Sequence, residues 1–291
     1  MKPRFFLSPA RPTVIVATLM LPLVLAGCST PPDPQAVAAV GSDHVHGIYV
    51  DPSSTKVLLA THDGLFDATG TARKKISENT IDLMGFTSSA EPGTYYASGH
   101  PGPDSSLPNP LGLVKSTDEG KTWQQVSRGG QSDFHALTVS GGSLVAFDGQ
   151  LRTSTDGIAW STSPATFSPA GLAGNPASTV VLATTEAGIQ RSIDAGQTWE
   201  LVPKGPIIQF AAFADSEMKA PTEAVGVAPD GSVYVSNDSG LTWTERGKIT
   251  GQVEAITALA GTTGKPWIWA ATTDGVQVST DGGATFQPAA S

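Results

Sequence analysis

Cysteine is almost missing from this 291-residue chain: Cys28 is the only one. A single thiol excludes an internal disulfide and a thiolate metal cluster, and its place at the end of a leader leaves no cysteine nucleophile for the rest of the chain. Positive charge is scarce as well, with 17 Lys and Arg against 26 Asp and Glu. Taking away Lys2, Arg4 and Arg11 of the leader leaves 14 basic against 26 acidic residues, a balance of −12. Phosphate backbones demand Lys and Arg, so this balance argues against nucleic acid. It favours solubility and tolerates a cationic ligand. No apolar run is long enough to span a bilayer, which takes about 20 residues; "TVIVATLMLPLVLAG" is shorter and is broken by Pro22. Helical periodicity of useful length is absent. So are a glycine-rich phosphate loop leading into a helix and a Gly-x-Ser-x-Gly elbow. Histidine is rare, and all five (His44, His46, His62, His100 and His135) lie before the midpoint.

What is present begins with an address. A basic stretch, a short apolar run and then Leu25-Ala26-Gly27-Cys28 read as a secretory signal. The last four residues resemble the lipobox of bacterial lipoproteins. That resemblance implies cleavage before Cys28, lipidation of its thiol, and anchoring on the extracytoplasmic side of the bacterial membrane without a spanning helix. Residues 1–27 are then the signal peptide. Residues 28–41 are the lipidated cysteine and a flexible tether, "STPPDPQAVAAVG", with three prolines and no periodicity. Residues 42–291 are long enough for one large all-β domain, expected to be a monomer.

Internal repeats define that domain. Five segments align: "KSTDEGKTW" (115–123), "RTSTDGIAW" (152–160), "RSIDAGQTW" (191–199), "VSNDSGLTW" (235–243) and "VSTDGGATF" (278–286). Each has Ser-x-Asp-x-Gly-x-x-aromatic, except that a glycine directly follows the aspartate in the second copy. The aspartates, Asp118, Asp156, Asp194, Asp238 and Asp281, are 38, 38, 44 and 43 residues apart. Such spacing suits a four-stranded propeller blade. The chemistry is that of a turn: an aspartate accepts backbone N–H groups, glycine supplies positive φ, and the aromatic residue returns into the core. The motif resembles the Asp-box of sialidases and related propellers, in which it joins the third and fourth strands of a blade. A first unit, "HGIYVD…KVLLATHDGLFDATG", has the same strands without the box. The expected fold is an all-β, six-bladed propeller of four-stranded antiparallel blades starting near residues 44, 82, 133, 168, 209 and 255; seven blades would need a unit hidden in residues 29–43, which is too short.

Blade geometry then places the histidines. The start of the innermost strand and the loop between the second and third strands share one rim of the channel. Aligning the inner strands puts His46, Met84, His135, Ala170, Ala211 and Thr257 in one slot, with His44, Asp82, Asp133, Ser168, Gln209 and Ala255 two residues earlier. Residues i and i+2 face the same side of a strand. His62 and His100 follow second strands and are expected in loops at that rim, the latter opening a proline-rich loop, residues 99–112. Histidine, carboxylate and thioether converging on one rim predict a transition-metal site drawn from His44, His46, His62, His100, His135, Asp82, Met84 and Asp133, taking copper or zinc. A structural hydrogen-bond network around the channel would use the same residues.

The sialidase likeness implies three arginines and a tyrosine nucleophile at the site. Arg73, Arg128, Arg152, Arg191 and Arg246 all fall beside a box or its equivalent, and Tyr49 has the wrong pleat phase, so sialidase activity is rejected. Three readings remain: a non-catalytic metal-binding propeller, a protein or glycan interaction scaffold, and a glycoside hydrolase using Asp82 and Asp133. The box residues are read as structural.

Overall fold

The computed structural model describes residues 44–216, 219–261 and 265–289. The signal peptide, Cys28 and the tether lie outside the described residues. No helix occurs among the described residues; the chain is a succession of antiparallel meanders. The first contains β1 (Val45–Val50), β2 (Val57–Thr61), β3 (Gly64–Asp67) and β4 (Lys74–Lys75). Next come β5 (Ile81–Ser88), β6 (Tyr95–Pro101), β7 (Leu113–Ser116) and β8 (Gln124–Ser127). They are followed by β9 (Ala136–Ser140), β10 (Ser143–Phe147), β11 (Leu151–Ser154) and β12 (Ser161–Thr162). β13 (Gly171–Asn175), β14 (Ser178–Thr185), β15 (Gly188–Ser192) and β16 (Glu200–Leu201) form another. The last strands are β17 (Phe210–Asp215), β18 (Ala224–Val227), β19 (Ser232–Ser236), β20 (Thr244–Lys248), β21 (Val253–Leu259), β22 (Trp267–Thr272), β23 (Gly275–Ser279) and β24 (Gln287–Pro288).

The architecture is an all-β propeller. Four of its sheets are separate four-stranded blades, and the last eight strands form one sheet in the order β20-β19-β18-β17-β21-β22-β23-β24. Two parallel pairs, Ala214 with Ala258 and Asp215 with Leu259, join its halves. The inner strands are neighbours in a closed circuit: β1, β5, β9, β13, β17, β21 and β1 again. Their outward faces, with the second and third strands, build apolar layers between sheets, such as Leu58, Leu65, Leu83, Ala97 and Val114. Burying such side chains drives the assembly of sheets that are too small to stand alone.

The repeated motif sits where a third strand ends. Ser116, Ser154, Ser192, Ser236 and Ser279 each close their strand. In the first copy the Ser116 hydroxyl donates to Asp118 Oδ1 (2.8 Å) and accepts from Gly120 N (2.9 Å), while Asp118 accepts from Thr122 N (3.0 Å) and Thr122 Oγ1 (2.6 Å). Thus the carboxylate reaches four residues on, closing a wider loop than a two-residue turn. In the shorter second copy Asp156 Oδ1 accepts instead from Ile158 N and Ala159 N, both at 2.8 Å. The motif glycine has a second duty. At Gly120, with φ 86°, a Cβ would meet Leu65 of the preceding sheet at 2.2 Å, and at Gly240 one would meet Leu182 at 2.6 Å. The motif therefore seats each sheet on the one before it as well as turning the chain.

Asp281 shows how strongly the turn holds its carboxylate. The N–H and hydroxyl of Thr285, with help from Ser279 and Ala284, pull its pKa from 3.8 to about 2. A depressed carboxylate stabilises the fold fully above its unfolded value, and that contribution is lost as pH falls through the folded one. Asp281→Ala is expected to cost about 1–2 kcal/mol at neutral pH, the scale of a lost side-chain cap. In denaturant titrations the gap to wild type should close as pH falls from 3.8 towards about 2; a gap that persists in acid would refute this account.

Candidate metal centre

The channel mouth is built from the starts of the inner strands. A cavity of about 180 Å³ there is lined by His46, Met84, His135, Ala170, Gln209 and Glu254, among others. Of the expected slot, His46, Met84, His135, Ala170 and Ala211 line this cavity and only Thr257 gives way, to Glu254; Gln209 and Ala255, expected two residues earlier, line it as well. The reason is local. Pairing registers slip between Val45 and Gly47, between Leu83 and Gly85, and between Val253 and Ala255. The residues passed over are His46, Met84 and Glu254. A β-bulge inserts one residue and re-aims a side chain, so period-two counting fails at these points.

Two sheets contribute the central group. His46 stands on the bulge of β1, His62 in the tight turn after β2, and Asp82 on β5. The distances are 3.2 Å for His46 Nε2 to His62 Nδ1, 3.6 Å for His46 Nε2 to Asp82 Oδ1, and 3.1 Å for His62 Nδ1 to Asp82 Oδ1. A tetrahedral ion with bonds of about 2.0–2.1 Å needs donor–donor edges of about 3.3–3.4 Å. The observed triangle brackets that edge. Asp82 Oδ1 is buried and takes part in no hydrogen bond, although both imidazole nitrogens are near. A buried acceptor without a donor is costly, and a cation at the centre of this triangle would relieve it. Burial, then the neighbouring His62, pushes the pKa of His46 down to about 4, against the opposite pull of Asp82. His46 is therefore a neutral imidazole at neutral pH, the form that donates a lone pair to a metal. This His-His-Asp group can hold a metal ion.

The remaining candidates are arranged differently. Among the described residues no other group of His, Asp and Glu donors converges in this way. His44 Nδ1 donates to Glu254 Oε1 at 2.8 Å, and its ring meets that of His46 edge-on, centre to centre 4.9 Å. Asp133 serves a separate network: its Oδ2 accepts from His135 Nε2 at 2.7 Å and stands 3.3 Å from His100 Nε2. His100 Nδ1 donates to Asn109 Oδ1 at 2.7 Å, which ties the proline-rich loop to the rim. His100 lies within β6, paired with Asp82, rather than in the loop as expected. Met84 lines the channel. Of the eight candidates, three form the His-His-Asp triangle, three form the Asp133 network, His44 pairs with Glu254 and Met84 lines the channel.

Three of the five arginines are engaged elsewhere. Arg128 and Arg152 share the buried Asp148, and Arg191 donates to the carbonyl of Ser239.

The sequence matches no protein-family profile and no curated protein. Solved structures with a similar fold include the Niastella koreensis GH74 enzyme, at 17% identity and a TM-score of 0.59, covering 85% of this chain and 37% of that one. YCF48 from Cyanidioschyzon merolae is similar at 10% identity and TM-score 0.52, covering 83% of this chain and 96% of its own. U3-55K is similar at 11% identity and TM-score 0.50, covering 81% and 77%. This chain thus spans well under half of the GH74 enzyme. At such identities the likeness is one of fold.

Proposed function

We propose that this chain is a lipid-anchored, extracytoplasmic Asp-box propeller whose channel mouth binds one transition-metal ion on His46, His62 and Asp82, for metal handling rather than turnover. Counting each four-strand meander as a blade, with the eight-stranded sheet as two, gives six blades. The observation that carries the metal reading is the triangle of 3.1–3.6 Å around a buried carboxylate oxygen that takes no hydrogen bond. Two nitrogens and one oxygen of borderline hardness suit zinc(II), and copper(II) next. Hydrolysis by Asp82 and Asp133 is less well supported, because each carboxylate is already enclosed by an imidazole pair. A shared fold does not transfer the activity of a GH74 enzyme.

The test is stoichiometry. The protein, freed of its lipid and stripped of metal, is titrated with zinc(II), copper(II) and copper(I) against a chromophoric chelator, with elemental analysis of the washed product. One tightly held ion per chain is expected. Binding no better than to a histidine-poor control would sink the metal reading and favour an interaction scaffold.

The address has its own test. The Leu-Ala-Gly-Cys match at residues 25–28 supports lipidation of Cys28. Cells fed labelled palmitate are expected to label the wild-type protein in the membrane fraction. Cys28→Ser should abolish the label and leave an uncut precursor; label retained in that variant would remove the anchor from the proposal.

A further inference from the structure

The propeller has a seam beside the metal triangle. All strands of the first sheet come from residues 45–75, and β21–β24 from residues 253–288. β1 and β21 are neighbours, and Val45, Ile48, Ala255, Leu259 and Trp269 fill the space between their sheets. Among the described residues no ladder of backbone hydrogen bonds pairs β1 with β21, and no strand is exchanged between the first sheet and the last. The circuit is closed here by side chains.

Glu254 is the polar bridge across this seam. From the bulge of β21 it accepts His44 Nδ1–H at 2.8 Å and Val45 N–H at 3.3 Å, using one oxygen for each. Its side chain is only 8% exposed, whereas that of His44 is 51% exposed. A carboxylate that takes the Nδ1–H of an imidazole fixes the tautomer and leaves Nε2 as the lone-pair edge. Metal-binding histidines are oriented in this way. The ring of His44 lies 4.9 Å from that of His46 and 6.3 Å from that of His62. Two imidazoles on one tetrahedral ion have ring centres about 5 Å apart. The three donors already in place leave one corner of a tetrahedron open.

Resting on the metal reading above, we infer that His44 is the fourth ligand and Glu254 its positioning residue, so that the bound ion clasps the first sheet to the last. His44, His46 and His62 come from the first sheet and its N-terminal edge, Asp82 from the second, and Glu254 from the last sheet. The ion would bond or be bonded through all three, and release of the ion would loosen the seam.

The decisive measurement is a long-range ¹H–¹⁵N imidazole spectrum of the whole protein with and without one equivalent of zinc. Coordination is expected to move Nε2 of His44, Nε2 of His46 and Nδ1 of His62. A His44 Nε2 resonance that ignores zinc overturns the inference. His44→Ala and Glu254→Gln should each weaken zinc binding about 10–100-fold. Cobalt(II) bound to His44→Ala should show altered visible bands, whereas Glu254→Gln should keep wild-type bands at lower affinity. Wild-type affinity in either variant would overturn the inference while leaving the three-residue site standing. A wild-type protein that binds no zinc would instead defeat the underlying metal reading.

Discussion

His46→Ala is expected to weaken zinc binding by about 100-fold while leaving the protein folded. The size follows from sharing the apparent binding energy of a structural zinc site, about 10–16 kcal/mol, among four ligands, which gives about 3 kcal/mol each. His46 is the donor whose loss is hardest to replace. It sits on the bulge of β1 with its side chain 10% exposed, and its nitrogen lies between His62 and Asp82. Burial holds it neutral, so the ion does not compete with an imidazolium proton. The fold survives because the ring lines the cavity at the channel mouth and anchors no apolar layer. His135→Ala is the informative comparison. The sequence alone places His46 and His135 in equivalent slots and expects both to matter. In the structure His135 belongs to Asp133, in a network that shares no atom with the triangle. Its removal should change zinc affinity by less than about threefold. Chelator competition on both variants decides the matter. Equal losses would mean that the two networks act as one site, and an unchanged His46→Ala would remove the triangle from metal binding.

That contrast shows which parts of the molecule were legible in the sequence. The propeller was readable because its signal is local and repeated. Asp118, Gly120 and Trp123 need only each other and a neighbouring Leu65 to make their turn, and the same chemistry recurs down the chain. The first sheet, which lacks the motif, was readable from its strand pattern. The rim was readable in outline, since strand direction alone sends His46, His62 and Asp82 to one end of the channel. The grouping within the rim was not. Glu254 was passed over for Ala255 and Thr257, because a one-residue bulge reverses which side chain faces inward. His100 was assigned to a loop because Gly99 and Pro101 look like a strand end, yet pairing with β5 continues to Pro101. Each miss lies where pairing between distant segments, and not local propensity, sets the geometry.

Close approach between distant segments also underlies a large expected loss of stability. Gly85→Ala should destabilise the protein by about 3 kcal/mol or more, at or above the upper end of ordinary overpacking. For a domain of this size that is a fall in melting temperature of roughly 6–12 °C. Gly85 follows the bulge on β5, where the strand runs against the segment leading into β9. A Cβ there would lie 2.1 Å from the carbonyl oxygen of Phe134 and 3.2 Å from Cβ of Leu137. The first neighbour is backbone, so no side-chain rotation relieves the clash. Phe134 is poorly placed to retreat: it is fully buried, its N–H is bonded to Ser98 Oγ at 2.9 Å, and its ring stacks near Trp160 at 4.9 Å. Asp133 and His135 flank it, so a shift of Phe134 would also disturb the imidazole bonds of Asp133. Gly70→Ala is the control, because nothing lies within 4 Å of a Cβ at that position. Denaturant unfolding should show a lower midpoint for Gly85→Ala at unchanged slope, and no loss for Gly70→Ala. If the two variants proved equally stable, β5 and β9 could part without cost, and the close backbone approach at Gly85 would not be what holds the second sheet against the third.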